Sequence, residues 1–336
     1  MSRPATYHRR PDCMSRRAVL VLLTALALAS GHGVQAQQGN VHRVGVILRG
    51  DEYAAVEGLR EGLKEQGLAE GKDYVLDLRD LKGDLDAVEA AAKSLEQEKV
   101  DVIYTISTSV STVTKRATTH VPVVFAVGTD PVAAGLVESF ARPGGRLTGV
   151  YYSSADLTPK RLEILRAILP KLHKVVMFYS PANRTTMLAI KSARDVALRL
   201  QIEIVEKPVA SVQELRANVA AFRPQDADAF FYVNDAMVRS QSRFIIDTMN
   251  SKKVATMFAT PDVAAQGALA GYGISFHETG LTSARYVHKI IAGVSPKDLP
   301  VESLSRVQLA VNMNTARDIG VTIPQAVRLS ASEVIQ

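Results

Sequence analysis

Several side chains of this 336-residue sequence are of the types that carry chemistry. The carboxylates Asp51, Asp130 and Asp235 each follow an apolar run. Brought together in a cleft, they could act as the acid and base of a glycoside hydrolase, at a separation that only the fold can set. The segment VGTDPVAAGLVESFARPGGRLTGV, residues 127–150, begins with Gly128-Thr129-Asp130-Pro131. That turn could hold a catalytic acid, cradle a phosphate or cap a helix. The hydroxyl run Ser107–Thr112 could receive an anion where a helix starts.

Other chemistries find no support. His42, His120, His173, His277 and His288 lack metal-ligand spacing. There is no Gly-x-Ser-x-Gly elbow and no Walker loop. The first strand runs into RGDEYAAVEGL, so the glycine fingerprint of a dinucleotide site is missing. No catalytic residue, metal or cofactor is expected.

Positioning such residues requires a scaffold, and the hydrophobic pattern supplies one. Short β-branched runs occur at residues 43–48, 74–78, 101–105, 123–127 and 147–152. A second series follows at 174–178, 202–205, 229–233, 254–258 and 269–274, with 307–314 as a further strand. Helical periodicity lies between them; in residues 84–98, Leu85, Val88, Ala92 and Leu95 share one face. This alternation predicts an α/β fold of two doubly wound parallel-sheet lobes. Thr158-Pro159 opens the helix expected to lead from one lobe to the other, and residues 277–293 form another helix ending in glycine. The expected lobes are 41–157 with 277–300, and 158–276 with 301–336.

Ligands of such sheets sit at the carboxyl ends of the strands. The loops there are residues 49–52, 107–112, 128–131, 179–183, 234–236 and 260–262, rich in hydroxyls, amides and capping residues. Asp130 as N-cap with Pro131 at the first helical position is a sufficient structural reading of its turn. Arg142-Pro143-Gly144-Gly145 would then stop that helix.

The amino terminus reads differently. Arginines precede the apolar run AVLVLLTALALA, residues 18–29, and Val34-Gln35-Ala36 fits a cleavage site. Residues 1–36 are therefore read as a signal peptide cut after Ala36; the run is too short to span a bilayer comfortably. Met14 is an alternative start, and Ser15-Arg16-Arg17 leaves twin-arginine export open. Cys13 precedes the apolar run and so is not a lipoprotein cysteine. Of 40 basic and 34 acidic residues, five arginines and Asp12 fall in this segment, leaving 35 and 33. The mature net charge is about +2, which removes the main support for nucleic-acid binding. With Cys13 gone, the mature chain has no thiol and no disulfide.

The residues also resemble a known family. Asp130-Pro131, Gly135-Leu136-Val137, Ala141-Arg142-Pro143-Gly144-Gly145 and Thr148-Gly149-Val150 are similar to the signature of tryptophan-binding-like solute-binding proteins of ABC transporters, of type I periplasmic-binding fold. Asp298–Glu302, Asn312–Ala316, Gly320–Pro324 and Ala331–Ile335 extend the match, which runs from about Arg43 to Ile335. The resemblance implies two lobes closing on a small solute, in relatives often an amino acid, for delivery to an inner-membrane ABC permease. It also implies a periplasmic protein, taken as a monomer, without nucleic-acid partner or enzyme activity.

Carried over by position, the family's Gly-Thr is Ser107-Thr108, its following proline is Ser109, and its Asp-Asn is Asp235-Ala236. Gly267 and Tyr272-Gly273 match directly. The expected ligand contacts are Ser107, Thr108, Ser109, Gly128, Thr129, Asp130, Tyr151, Tyr179, Asn183, Asp235 and Thr260. In this scheme Ser107–Ser109 and their helix start receive a carboxylate and Asp235 an ammonium, while Tyr151, Tyr152 and Tyr179 form walls. A ligand-sensing module for a membrane receptor and a secreted enzyme on a similar fold are the alternatives. A sugar-type transcription regulator is excluded, because the signal peptide stands where its DNA-binding helices would be.

Overall fold

The computed structural model describes residues 1–2, 41–48, 50, 52–153, 156–182 and 184–336. The expected signal segment lies outside the described residues save for Met1 and Ser2, and Arg49, Asp51 and Asn183 also lie outside them. No helix among the described residues is long and apolar enough to cross a membrane.

The β-branched runs form strands as their composition dictates. The first five are β1 (His42–Leu48), β2 (Tyr74–Asp80), β3 (Val102–Ile106), β4 (Val123–Val127) and β5 (Leu147–Tyr151). The next five are β6 (Lys174–Tyr179), β7 (Glu203–Pro208), β8 (Ala229–Phe231), β9 (Ala255–Phe258) and β10 (Ala270–Gly273). Three more, β11 (Glu302–Ser303), β12 (Gln308–Asn312) and β13 (Glu333–Ile335), complete two sheets. Their orders are β11-β5-β4-β3-β1-β2 and β13-β12-β10-β9-β8-β6-β7. Every pairing is parallel except β10 with β12.

Both faces of each sheet are covered. In β1, Val44, Val46 and Leu48 enter one core, while Ile47 points into the other with Val88, Ala92 and Leu95. Strand β4 divides likewise, with Val124 and Ala126 on one side and Val123, Phe125 and Val127 on the other. This two-residue period, apolar on both faces, marks a parallel sheet sandwiched by helices.

Helices of the first lobe are α1 (Tyr53–Glu65), α2 (Ala87–Gln97) and α3 (Thr108–Ala117). Those of the second are α4 (Thr158–Ile168), α5 (Arg184–Leu200), α6 (Val212–Ala221), α7 (Ala236–Arg239) and α8 (Ser242–Ser251). Helix α9 (Phe276–Ile291) packs back on the first lobe, and α10 (Met313–Ile319) and α11 (Gln325–Ser330) finish the second. Helices α1 and α9 lie almost backbone to backbone. A methyl on Gly58 would run into the His277 carbonyl, and one on Gly280 into that of Ala55.

Two expectations change. Glu302 and Ser303 pair with Val150 and Tyr151, so the chain stays on the first sheet beyond residue 301 before β12 joins the second. Asp130-Pro131 starts only a turn over residues 131–135, not a helix. Gly135, at φ +66°, turns the backbone there, and no regular element forms before β5.

Candidate functional site

The carboxyl ends of the two sheets face each other, and the lobes touch there. A methyl on Gly83 of the first lobe would meet Ser240 and Val212 of the second, and one on Gly50 would meet the Ser240 amide. Between the lobes lies a cavity of about 60 Å³. From the first lobe come Glu52 at the start of α1, Ser107, Thr108 and Ser109 at the start of α3, Gly128 after β4, Tyr152 after β5 and Phe276 at the start of α9. From the second come Tyr232, Asn234, Asp235, Ala236 and Arg239, all following β8. A smaller extension of about 30 Å³ is bounded by Leu157, Ala259, Thr260 and Ile274. A wider groove lined by Tyr53, Asp80, Lys82, Gln241 and Arg243 opens to solvent nearby, and none of its lining residues is a buried charge.

Burial picks out the cavity. Among the described residues, four charged side chains are buried: Glu52 at 2% exposure, Arg161 at 1%, Asp235 at 2% and Arg239 at 3%. Charged groups are almost never fully buried without compensation. Glu52, Asp235 and Arg239 line the cavity, and Arg161 hydrogen-bonds Asn234, which also lines it.

Each charge is held in place. Glu52 accepts the Gly50 N–H at 2.7 Å. Asp235 caps α7: its Oδ1 accepts the Met237 and Val238 N–H groups at 2.9 and 3.1 Å. Its Oδ2 accepts the Ser180 N–H at 3.2 Å and lies 3.2 Å from the Thr186 hydroxyl. Arg239 donates to Thr260 Oγ1 at 3.2 Å, and its guanidinium sits 5.2 Å over the Phe276 ring, a cation–π arrangement. Arg161 donates to Thr158 Oγ1 at 2.9 Å and to Asn234 Oδ1 at 3.4 Å. Burial pulls its pKa down to about 10.

The tyrosines make a rigid, half-apolar wall. Tyr232 Oη donates to the Asp235 carbonyl at 2.9 Å and accepts the Asp235 N–H at 3.0 Å. Tyr152 meets Phe276 edge to face at 6.4 Å. Burial pushes both phenols well above their ordinary range.

On the first lobe, Ser107 is the N-cap of α3, lies 3.2 Å from the Ser109 hydroxyl and accepts the Val110 N–H at 3.4 Å. Its φ is +89°, a conformation that glycine adopts freely and serine does not.

The expected contacts therefore divide. Ser107, Thr108, Ser109, Gly128 and Asp235 line the cavity, and Thr260 lines its extension. Thr129 and Asp130 are outside it, and Asp130 is exposed with its Oδ1 accepting the Val132 and Ala133 N–H groups. Tyr151 packs on Phe140 at 5.6 Å, on the far face of the sheet from Tyr152. Tyr179 donates to Glu206 at 2.8 Å, away from the cleft. Adjacent residues of a strand face opposite ways, and the wall belongs to Tyr152. Asn183 and Asp51 lie outside the described residues.

Glu52, Tyr232, Arg239 and Phe276 were not expected as contacts. Arg239 had a signal, since Asp235 and Arg239 stand four apart at the start of a helix and so share a face. Glu52 belonged to a loop already at a strand's carboxyl end.

Comparison with known proteins fits this geometry. Residues 43–335 match the model of a family described as ABC transporter substrate binding protein. A tyrosine-binding protein from Clostridioides difficile is 26% identical over 264 residues, 78% of this chain and 75% of that protein. The structure of a conserved domain protein from Vibrio cholerae superposes with a TM-score of 0.77 at 27% identity, over 88% of this chain and 99% of the other. An ABC domain in complex with L-Trp from Streptococcus pneumonia gives 0.76 at 24% identity, over 88% of this chain and all of that one. A match over nearly the whole chain outside the amino-terminal segment, together with two mainly parallel sheets meeting at a polar cleft, places this chain in the ABC transporter substrate binding protein family.

Proposed function

We propose that this protein captures a small polar solute, an amino acid or a related carboxylate, between its lobes and delivers it to an ABC permease. The observation that carries this reading is the gathering of the buried charges at one interlobe cavity. Buried charges cost stability unless something compensates them, so their concentration at a cleft supports reading it as a binding site. No chemistry on the solute is needed. The lobes hinge apart, the solute enters, and its differential affinity for the closed form drives closure.

The cavity between the touching lobes is smaller than the roughly 150 Å³ that accommodates benzene, so entry requires the lobes to part. The tyrosine-binding relative and the L-Trp complex support an amino acid as cargo. Ser107, Thr108, Ser109, Gly128 and Thr260 are proposed contacts. Asp235, with both oxygens engaged by its own lobe, is proposed to shape the wall. The residues before Gln37 are proposed to export the chain to the periplasm, where it acts as a soluble monomer without a lipid anchor.

A thermal-shift screen of residues 37–336 against amino acids, aromatic acids, purines and sugars tests the reading. A true ligand at a hundredfold excess over its Kd adds about 2.7 kcal/mol to stability. No response to any amino acid or carboxylate, beside a clear response to a sugar or purine, would refute it.

A further inference from the structure

The buried charges of the cleft do two different jobs. Asp235 is committed to main-chain N–H groups of its own lobe. Arg161 lies behind the wall, bonded to Thr158 and Asn234 of its own lobe. The two that face the cavity from opposite lobes are Glu52 and Arg239. They have opposite sign, and both act on the same pair of rings. Burial is the main cause that holds the phenols of Tyr152 and Tyr232 neutral; Glu52 adds to it and Arg239 opposes it at both. Each charge therefore lies within electrostatic reach of both cavity walls.

Each position is set by the element that carries it. Glu52 starts α1, which is locked against α9 by the close approach at Gly58 and Gly280. Arg239 is oriented by Thr260 and by the Phe276 ring. The four buried charges sum to zero. A ligand with net charge would leave one charge uncompensated in a buried site, whereas a zwitterion would not.

We propose that Glu52 and Arg239 form a two-lobe clamp for a net-neutral zwitterion, with Glu52 receiving its ammonium and Arg239 its carboxylate. This rests on the amino-acid reading above and replaces Asp235 as the ammonium partner. Because one charge belongs to each lobe, the zwitterion completes both contacts only when the lobes are together. Charge recognition and closure are then the same event.

The test is calorimetry on residues 37–336 with the proteinogenic L-amino acids, each that binds being paired with its decarboxylated amine and its N-acetyl derivative. The amino acid should bind about 30-fold or more tightly than either derivative, as expected when one partner of a buried charge pair is removed. Glu52→Gln should weaken the amino acid by a similar factor yet leave the N-acetyl derivative nearly unchanged. Arg239→Gln should do the same with respect to the amine. A merely structural role would weaken all three probes alike, and that pattern would overturn the clamp. Derivatives that bind within about threefold of the amino acid would also overturn it while leaving the amino-acid reading intact. Binding of a sugar or purine with no amino-acid response would refute both. The derivative comparison uses the unaltered protein, so a variant that fails to fold does not blunt the test.

Discussion

Asp130 and Asp235 look alike in sequence and do different things. Each follows an apolar strand, and each uses Oδ1 to hold the N–H groups two and three residues on. Asp130 is exposed, and the turn it caps ends within a few residues. Asp235 is buried, and its Oδ2 reaches Ser180 and Thr186 on neighbouring elements. One local motif thus serves in one place as a turn cap and in the other as the anchor of the cavity wall. Burial of the second oxygen makes the difference.

The largest effect separating them comes from removing the carboxylates. Asp235→Ala strands several buried N–H donors as well as a helix cap, and should cost about 3 kcal/mol or more in denaturant unfolding. Thr186→Val removes a hydroxyl bonded to Asn234 and close to Asp235, and should cost about 1–3 kcal/mol while displacing the Asn234 wall. Asp130→Ala should cost about 1 kcal/mol, the value of an ordinary cap, and leave solute affinity unchanged. Equal losses for Asp130→Ala and Asp235→Ala would erase the distinction.

Ser107 is a third capping residue, this one at the cleft and in a strained conformation. Ser107→Gly should raise stability by about 1 kcal/mol, since glycine tolerates both the backbone angle and the cap position. A fall in stability would show that the serine's hydrogen bonds outweigh the strain.

The smallest effect is at Glu98, on the surface. A hydrogen bond from Ser94, reinforced by Arg43 and Arg79, holds its carboxyl down to about 2. A depressed carboxylate stabilises above its unfolded value, near 4.3, and that contribution fades as pH falls through about 2. The melting-temperature gap between the parent and Glu98→Gln should therefore be present at pH 6 and shrink steadily below about pH 4. Solute affinity should not change.

Much of the scaffold was legible because its signals are periodic. Strands such as β1 and β4 carry runs of β-branched residues, and α2 carries a clear apolar face. The short strands β11 and β13 were missed because two or three residues hold no period. The expected helix after Asp130 failed because Gly135 turns the chain before a second turn can form. The cleft loops were legible from topology, since ligands sit at the carboxyl ends of parallel strands. Which side chains face inward was not. Tyr151 and Tyr152 are adjacent, and only the strand's phase decides between them. The burial of Glu52 and Arg239 is a tertiary property. Nothing in RGDEYAAVEGL or AMVRS distinguishes a buried charge from a solvated one.

The most direct test is calorimetry of residues 37–336 and of Arg239→Gln, titrated with an L-amino acid that stabilises the parent. The parent should bind one molecule per chain, and the variant, folded by circular dichroism, should lose about 30-fold or more in affinity. Undiminished binding by the folded variant would contradict a site built on the interlobe cleft's buried charges.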